Sequence, residues 1–167
     1  KFNYGPPDKQ CLGTPVVFAD SSKSFGTITA WNWNFGDGTT ADIPDPPPHD
    51  YAQPGSYNVQ LAITGNTGCM DTISVPITIG TIPIADFGEA SSCTDRPLSL
   101  PDASTNQVGA INRWYWDFGN GEVSDQQDPV INFQQPGNYP VKLAVATENG
   151  CVSDTLEKNI VVDPTPL

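Results

Sequence analysis

The chain has 167 residues and a formal net charge of −12, with 7 basic against 19 acidic side chains, 17 prolines and 15 glycines. Proline and glycine are too frequent for a helical bundle and too irregular for collagen, while 10% aromatic residues is too many for a disordered tail. No apolar run is long enough to span a membrane, any signal peptide is expected to be removed or to lie outside this sequence, and a few scattered basic residues in an acidic chain argue against nucleic-acid binding.

The first half of the chain is predicted to form short strands and turns. Residues 15–18, 56–64 and 72–79 are rich in β-branched and aromatic side chains, and clusters of Gly, Pro, Asn and Asp separate them. No window keeps the 3.6-residue period of an amphipathic helix. Strands at this spacing indicate an immunoglobulin-like sandwich of about seven strands.

A further strand lies between the first two of these segments, and its aromatic residues alternate. Trp31, Trp33 and Phe35 occupy every second position, so they share one face of the strand. Gly36-Asp37-Gly38 follows directly and predicts a tight turn, because glycine tolerates a positive φ. Tyr57 comes after a Pro-Gly turn, and its hydroxyl is expected to bond back to a neighbouring turn, as in a tyrosine corner.

The second half of the chain repeats this order when it is slid over the first half by 82 or 83 residues. Segment 31–38 matches 114–121, and segment 53–61 matches 135–143. One-residue drifts of this kind reflect loops of different length. The sequence therefore predicts an all-β protein built from two tandem sandwiches. The predicted domains comprise residues 1–80 and 83–167.

In both copies these motifs resemble the PKD domain, an immunoglobulin-like module found in many bacterial surface and secreted proteins. The resemblance rests on Trp-x-Phe-Gly-Asp-Gly at 33–38 and on Tyr-Ala-Gln-Pro-Gly-Ser-Tyr-x-Val-x-Leu at 51–61. The added cysteine before the second strand and the segment 68–72 make it similar to the version abundant in secreted and cell-surface proteins of Bacteroidota. The second copy departs from the motif at Asn120, where the family has Asp.

The aromatic strands allow two interpretations. One is a packed core with Trp31 and Trp114 at its margin, and the other is a ligand-facing platform on which these two side chains stack against sugar rings. The residues expected to serve the structure are Trp33, Phe35, Gly36, Asp37, Gly38 and Tyr57 in the first copy and Trp116, Phe118, Gly119, Asn120, Gly121 and Tyr139 in the second.

A calcium site is the one metal site that this acidic sequence suggests, and PKD-like modules sometimes carry one. Its ligands would come from Asp20, Asp37, Asp42 and Asp45. However, no Asp-x-Asp-x-Asp ladder is present, and Asn120 at the position of Asp37 favours a turn over a hard cation. The sequence therefore predicts no cofactor and no metal.

Catalysis is not expected from this sequence. His49 is its one histidine, and Ile131 stands at the matching place in the second copy, although a catalytic group does not usually exchange for Ile. The motifs of serine hydrolases, zinc proteases and dithiol redox proteins are absent. A pair of carboxylates, as in glycosidases, is the remaining enzymatic route, and no pair stands out.

The four cysteines Cys11, Cys69, Cys93 and Cys151 occur as two per copy at the same spacing, which predicts disulfides rather than a metal site. Repeat symmetry favours bonds within each copy, from Cys11 to Cys69 and from Cys93 to Cys151. The strand order of a sandwich puts these partners at opposite poles, which favours a bond between Cys11 and Cys151 instead. Cys69 and Cys93 would then face neighbouring units. Both schemes stay open at this point.

The resemblance also implies a covalent modification. Asp71-Thr72-Ile73 and Asp154-Thr155-Leu156 begin the last strand of each copy. An Asp-Thr pair followed by an aliphatic residue is similar to the O-glycosylation acceptor of exported Bacteroidota proteins, which makes Thr72 and Thr155 candidate sites. The alternative is a turn that ends at Asp and a strand that starts at Thr.

Taken together, these features predict a structural or adhesive segment of an extracellular rod, surface adhesin or filament. The junction at 80–83 is too short and stiff for a flexible tether. The expected partners are neighbouring repeats or identical subunits placed end to end, together with surface glycans or proteins. The alternative is an accessory module of a secreted hydrolase, which binds carbohydrate or protein through exposed aromatic side chains.

Overall fold

The structure is a computed structural model that describes residues 1–6, 10–24, 26–88 and 90–165. The chain divides into two compact units, Lys1–Thr81 and Ile82–Leu167. Within the described ranges the regular structure consists of strands without any helix, which confirms the predicted all-β class. It follows that no helix in these ranges could cross a lipid bilayer.

The first unit contains a four-stranded antiparallel sheet and a two-stranded sheet. Its described strands are β1 (Phe2–Gly5), β2 (Val17–Asp20), β3 (Ile28–Asn34), β4 (Thr40–Ala41), β5 (Gly55–Gly65) and β6 (Met70–Ile79). The larger sheet has the order β4-β3-β5-β6, and β1 pairs with β2. An antiparallel bridge between Val16 and His49 extends the smaller sheet.

The second unit has the same plan, with five strands instead of four in its larger sheet. Its described strands are β7 (Ser91–Cys93), β8 (Pro97–Ser99), β9 (Ile111–Asp117), β10 (Val123–Ser124), β11 (Val130–Asn132), β12 (Gly137–Thr147) and β13 (Leu156–Asp163). The five-stranded sheet has the order β10-β9-β12-β13-β7, in which β7 runs parallel to β13. The smaller sheet pairs β8 with β11.

Each unit has its own hydrophobic core. Every second residue of the strands faces inward, so Trp33 opposes Leu61 in the first unit and Trp116 opposes Leu143 in the second. The first core contains Phe2, Val16, Phe18, Trp33, Phe35, Tyr51, Val59, Leu61, Ile77 and Ile79. The second contains Ala85, Phe87, Leu100, Trp116, Phe118, Ile131, Phe133, Val141, Leu143, Val145, Ile160 and Val162.

Candidate functional site

The second tryptophan of each aromatic strand belongs to the core. Trp33 and Trp116 are 0% and 2% exposed. Their indole nitrogens donate hydrogen bonds to the carbonyl oxygens of Ile43 (3.0 Å) and Gln126 (2.9 Å). A buried indole needs such a partner, because an unpaired N–H inside the core costs free energy.

The first tryptophan of each strand lies half-buried at the margin of its core. The indole nitrogen of Trp31 donates to Asp20 Oδ2 at 2.8 Å, and that of Trp114 donates to Asp102 Oδ2 at 2.9 Å. Burial opposes ionisation of Asp20, but hydrogen bonds from Ser22 and Trp31 outweigh it and lower the pKa of the carboxyl. The indole N–H groups are therefore engaged within each unit. Because both side chains are only half-buried, part of each ring surface is still accessible.

A second aspartate completes each of these networks. The sequence analysis considered the one in the first copy only as a calcium ligand and did not consider the one in the second copy. Asp45 Oδ1 accepts a hydrogen bond from the backbone nitrogen of Asp20 at 3.1 Å. Asp128 does the same for Asp102 at 2.9 Å. The signal was present in the repeat, because both aspartates recur at the offsets of the aligned motifs.

Three of the four aspartates considered for calcium serve local structural roles. Asp20 and Asp45 share the network just described, Asp37 contacts His49, and Asp42 is exposed. Across the described part of the chain, no three His, Cys, Asp or Glu side chains lie close enough together to hold a metal ion.

The Gly-Asp-Gly segment forms a turn held by side chains. Asp37 Oδ1 accepts hydrogen bonds from the backbone nitrogen (2.9 Å) and hydroxyl (2.6 Å) of Thr39. In the second unit, Asn120 Oδ1 accepts from the backbone nitrogen of Glu122 at 2.9 Å. Asn120 therefore replaces the turn-forming oxygen of Asp37 without its charge.

His49 joins Asp37 in a polar cluster that only the first unit has. Its Nε2 lies 2.8 Å from Asp37 Oδ2, and its ring stacks on Phe35 with centroids 4.2 Å apart. Burial opposes ionisation of Asp37, but the hydrogen bonds from Thr39, helped by His49, outweigh it and lower the pKa of the carboxyl. Burial raises the pKa of the neighbouring Tyr51 hydroxyl above its usual range, and this hydroxyl donates to the Phe35 carbonyl at 3.0 Å.

The His49 cluster has the residue types of a hydroxyl, imidazole and carboxylate triad without the required order of contacts. The Thr39 hydroxyl donates to the carboxylate at 2.6 Å and lies 3.4 Å from the imidazole, so the histidine is not placed to take its proton. The cluster consists of Asp37, Thr39, His49 and Tyr51, and in the second unit all four positions hold other residues. The replacements are Asn120, Glu122, Ile131 and Phe133. The cluster is therefore an alternative way to fill one corner of the sandwich.

Both units contain the predicted tyrosine corner. The Tyr57 hydroxyl donates to the Gln53 carbonyl at 2.7 Å, and the Tyr139 hydroxyl donates to the Gln135 carbonyl at 2.8 Å. Each bond ties the start of a long strand to the loop before it.

The structure contradicts the pairing scheme with one disulfide inside each copy. Cys69 and Cys93 are free thiols, so the bonds from Cys11 to Cys69 and from Cys93 to Cys151 are absent. Cys11 lies beside Gly80, at the far end of β6 from Cys69. The ten residues of β6 span about 30 Å, whereas a disulfide needs Cα atoms within about 7 Å. Cys11 and Cys151 are each disulfide-bonded.

The candidate glycosylation sites are accessible. Thr72 lies in β6 opposite Ala62, and Thr155 directly precedes β13; both are exposed. Their modification stays a prediction.

An exposed aromatic side chain that the sequence reasoning overlooked lies on the outer face of the second unit. Tyr115 lies between Trp114 and Trp116 in β9, so its side chain is on the opposite face of the strand, where it is 50% exposed. It lies opposite Ala144, a small residue that leaves the ring open, and Lys142 and Glu157 form an ion pair (3.7 Å) on the same sheet. The matching position of the first unit is Asn32.

Comparison with known proteins gives a consistent result for both units. A family model of the PKD domain matches residues 2–79 and again residues 81–162. The Pre-pro-metalloprotease PrtV of Vibrio cholerae serotype O1 is 29% identical over 134 residues, which is 80% of this chain and 14% of that protein. Collagenase ColA of Clostridium perfringens is 34% identical over 64 residues, 38% of this chain and 6% of that protein.

A solved structure supports the fold alone. The fibronectin(III)-like modules of Clostridium thermocellum CbhA are 14% identical and align over 98% of this chain and 95% of theirs, with a TM-score of 0.57. Since the chain spans about a seventh of the protease that it matches, the likeness concerns only a small region of that enzyme.

Proposed function

The chain belongs to the PKD domain family in both of its halves, and on this premise we propose that it is a structural segment of a larger extracellular protein. PKD domains are non-catalytic, and the related enzymes match only over a small share of their length. The segment would act as a stiff rod or filament section that carries or presents other parts.

The observation that carries this proposal is the repetition of internal supports. Both units contain a buried Trp bonded to a loop carbonyl, a tyrosine corner, and a marginal Trp held by an aspartate pair. These polar groups are engaged in holding strands and loops. Selection for length and stiffness is served by repeating such a unit, whereas selection for a reaction is not.

Small-angle scattering of the isolated chain tests the rod directly. A stiff segment should give an extended particle of about two domain lengths, with little change in the radius of gyration when salt screens the acidic surface. A compact pair, or a particle whose dimensions vary strongly with ionic strength, would contradict the rod.

A second candidate function is that of an accessory module of a secreted protease or other hydrolase. The relatives favour it, because one is a metalloprotease and another a collagenase by name. Both candidates imply an extracellular location, the first because the rod is proposed as part of an extracellular protein and the second because collagen is an extracellular protein. The exposed Tyr115 is the side chain best placed to contact a fibre or glycan, because Trp31 and Trp114 are half-buried and hydrogen-bonded.

Co-sedimentation with collagen fibres and with insoluble polysaccharides tests the accessory candidate. Replacement of Tyr115 by Asn, the residue of the first unit, should abolish binding while the fold is kept. The Asn32→Tyr variant is the matched control, since it places the ring on the other unit. If the wild-type chain stays in the supernatant with every fibre, the accessory role is excluded for those substrates.

A further inference from the structure

The four cysteines are of two structural kinds, and each kind occurs once per unit. Cys11 and Cys93 are edge cysteines that lie parallel to the end of the last strand, beside Gly80 and Asp163 respectively. The residue after each cysteine donates its backbone N–H to that strand end at 2.9 Å. Two residues after each cysteine the backbone has a positive φ, 82° at Gly13 and 59° at Asp95.

Cys69 and Cys151 are turn cysteines with an equally close match. The carbonyl of Cys69 accepts from the Gly65 nitrogen at 2.8 Å, and that of Cys151 accepts from the Thr147 nitrogen at 2.9 Å. The glycine before each cysteine has a positive φ, 81° and 78° respectively. The backbone that presents the sulfur is therefore the same in both units.

One cysteine of each kind is disulfide-bonded, and its counterpart is free. The edge cysteine Cys11 and the turn cysteine Cys151 are bonded. Turn cysteine Cys69 is an exposed thiol, and edge cysteine Cys93 is a half-buried thiol. Hence each free thiol sits on a backbone that supports a disulfide in the other unit.

The surface beside Cys69 has the character of a contact site. A shallow depression next to the thiol is lined by Ile28, Ile63 and Met70, and the Met70 side chain is 72% exposed. Such exposed apolar surface gains free energy when a partner covers it.

We propose that Cys69 of one chain forms a disulfide with Cys93 of a second copy, so that copies join head to tail. This inference rests on the proposed structural function and names its partner. The two thiols lose two hydrogens, and an external disulfide of the glutathione class is reduced to two thiols: Cys69–SH + Cys93–SH + GSSG gives Cys69–S–S–Cys93 + 2 GSH. Because the two bonding sites differ, the contact is heterologous and extends into a chain of subunits.

The test uses the whole chain in a glutathione redox buffer over a series of protein concentrations, read by non-reducing electrophoresis and peptide mass mapping. Wild-type protein should form a ladder of covalent oligomers that contains the Cys69–Cys93 peptide pair, and dithiothreitol should dissolve it. Cys11 and Cys151 should stay oxidised throughout.

Single variants make the test specific for unlike cysteines. Cys69→Ser and Cys93→Ser should each stay monomeric alone, whereas an equimolar mixture of the two should give a dimer and nothing larger. Dimers of Cys93→Ser alone would show a Cys69–Cys69 bond and overturn the proposal. An intramolecular bond between Cys69 and Cys93, or a wild-type chain that stays monomeric, would also overturn it.

The outcome is independent of the scattering test of the rod. If the chain is extended but stays monomeric, the proposed structural function is supported and the covalent assembly is contradicted. If the chain is compact but still forms the ladder, the covalent assembly is supported and the rod is contradicted.

Discussion

The Trp31 indole nitrogen lies 2.8 Å from a carboxylate oxygen of Asp20, although eleven residues separate them in the chain. The bond joins β3 of the larger sheet to the end of β2 in the smaller sheet, so it links the two layers of the first unit. Trp114 and Asp102 form the same link in the second unit at 2.9 Å. The repeat therefore preserves a polar contact between layers as well as the apolar core.

Trp31→Phe should destabilise the first unit by about 1 to 2 kcal/mol, because it removes a hydrogen bond to a charged acceptor and leaves the carboxylate without that donor. Urea unfolding, with hydrogen exchange of β3 to assign the effect to the first unit, measures the loss. Asp20→Asn leaves one side-chain oxygen for two donors, the Ser22 backbone nitrogen and the Trp31 indole, so it should cost at least as much. Trp114→Phe should produce a similar loss in the second unit alone. An unchanged unfolding midpoint for Trp31→Phe would show that the contact contributes nothing.

Acid should weaken the first unit through Asp20 and Asp37, whose pKa values are lowered in the fold. A carboxyl with a lowered folded pKa binds its proton more readily when the chain is unfolded. Its stabilisation is therefore complete above the ordinary aspartate pKa of 3.8 and is lost as the pH falls through the lowered value. The melting temperature should fall between about pH 5 and pH 2. Asp37→Asn should show a shallower fall, and an equally steep one would rule out Asp37 as a contributor.

His49 and Asp37 should be coupled. His49→Ile removes the partner that lies 2.8 Å from Asp37 Oδ2, and it should cost about 1 kcal/mol. Adding Asp37→Asn should restore part of the loss, since the second unit combines Ile131 with Asn120 at these places. A double-mutant cycle by urea denaturation gives a coupling of at least about 0.5 kcal/mol if the two side chains act as a pair. Simple additivity of the two single effects would contradict this.

The two glycines of the first turn should differ in their tolerance of alanine. Gly36 and Gly38 both have a positive φ, 84° and 94° respectively, so either substitution strains the backbone by about 1 to 2 kcal/mol. A Cβ on Gly36 would lie 2.9 Å from the backbone nitrogen of Asn58, whereas a Cβ on Gly38 would meet open space. Gly36→Ala should therefore lower the melting temperature clearly more than Gly38→Ala. Equal losses for the two variants would mean that the close approach of β5 is relieved at no cost.

The sequence by itself determined the repeat, the all-β class, the inward face of Trp33 and Trp116, and the turns at the glycine motifs. These features are local, since a period of two residues and the φ angles of glycine require no knowledge of distant neighbours. The tyrosine corner was predictable for the same reason, because Tyr57 bonds only four residues back.

Only the tertiary structure decided which distant side chains meet. The partner of Trp31, the contact of His49 with Asp37, the exposure of Tyr115 and the free state of Cys69 all depend on which strands pair and in what register. Register is set by the combined packing of both faces of a sheet, so a shift by one residue would exchange every inward and outward side chain. For the cysteines the deciding quantity is the length of β6, which separates Cys11 from Cys69 by far more than a disulfide can span.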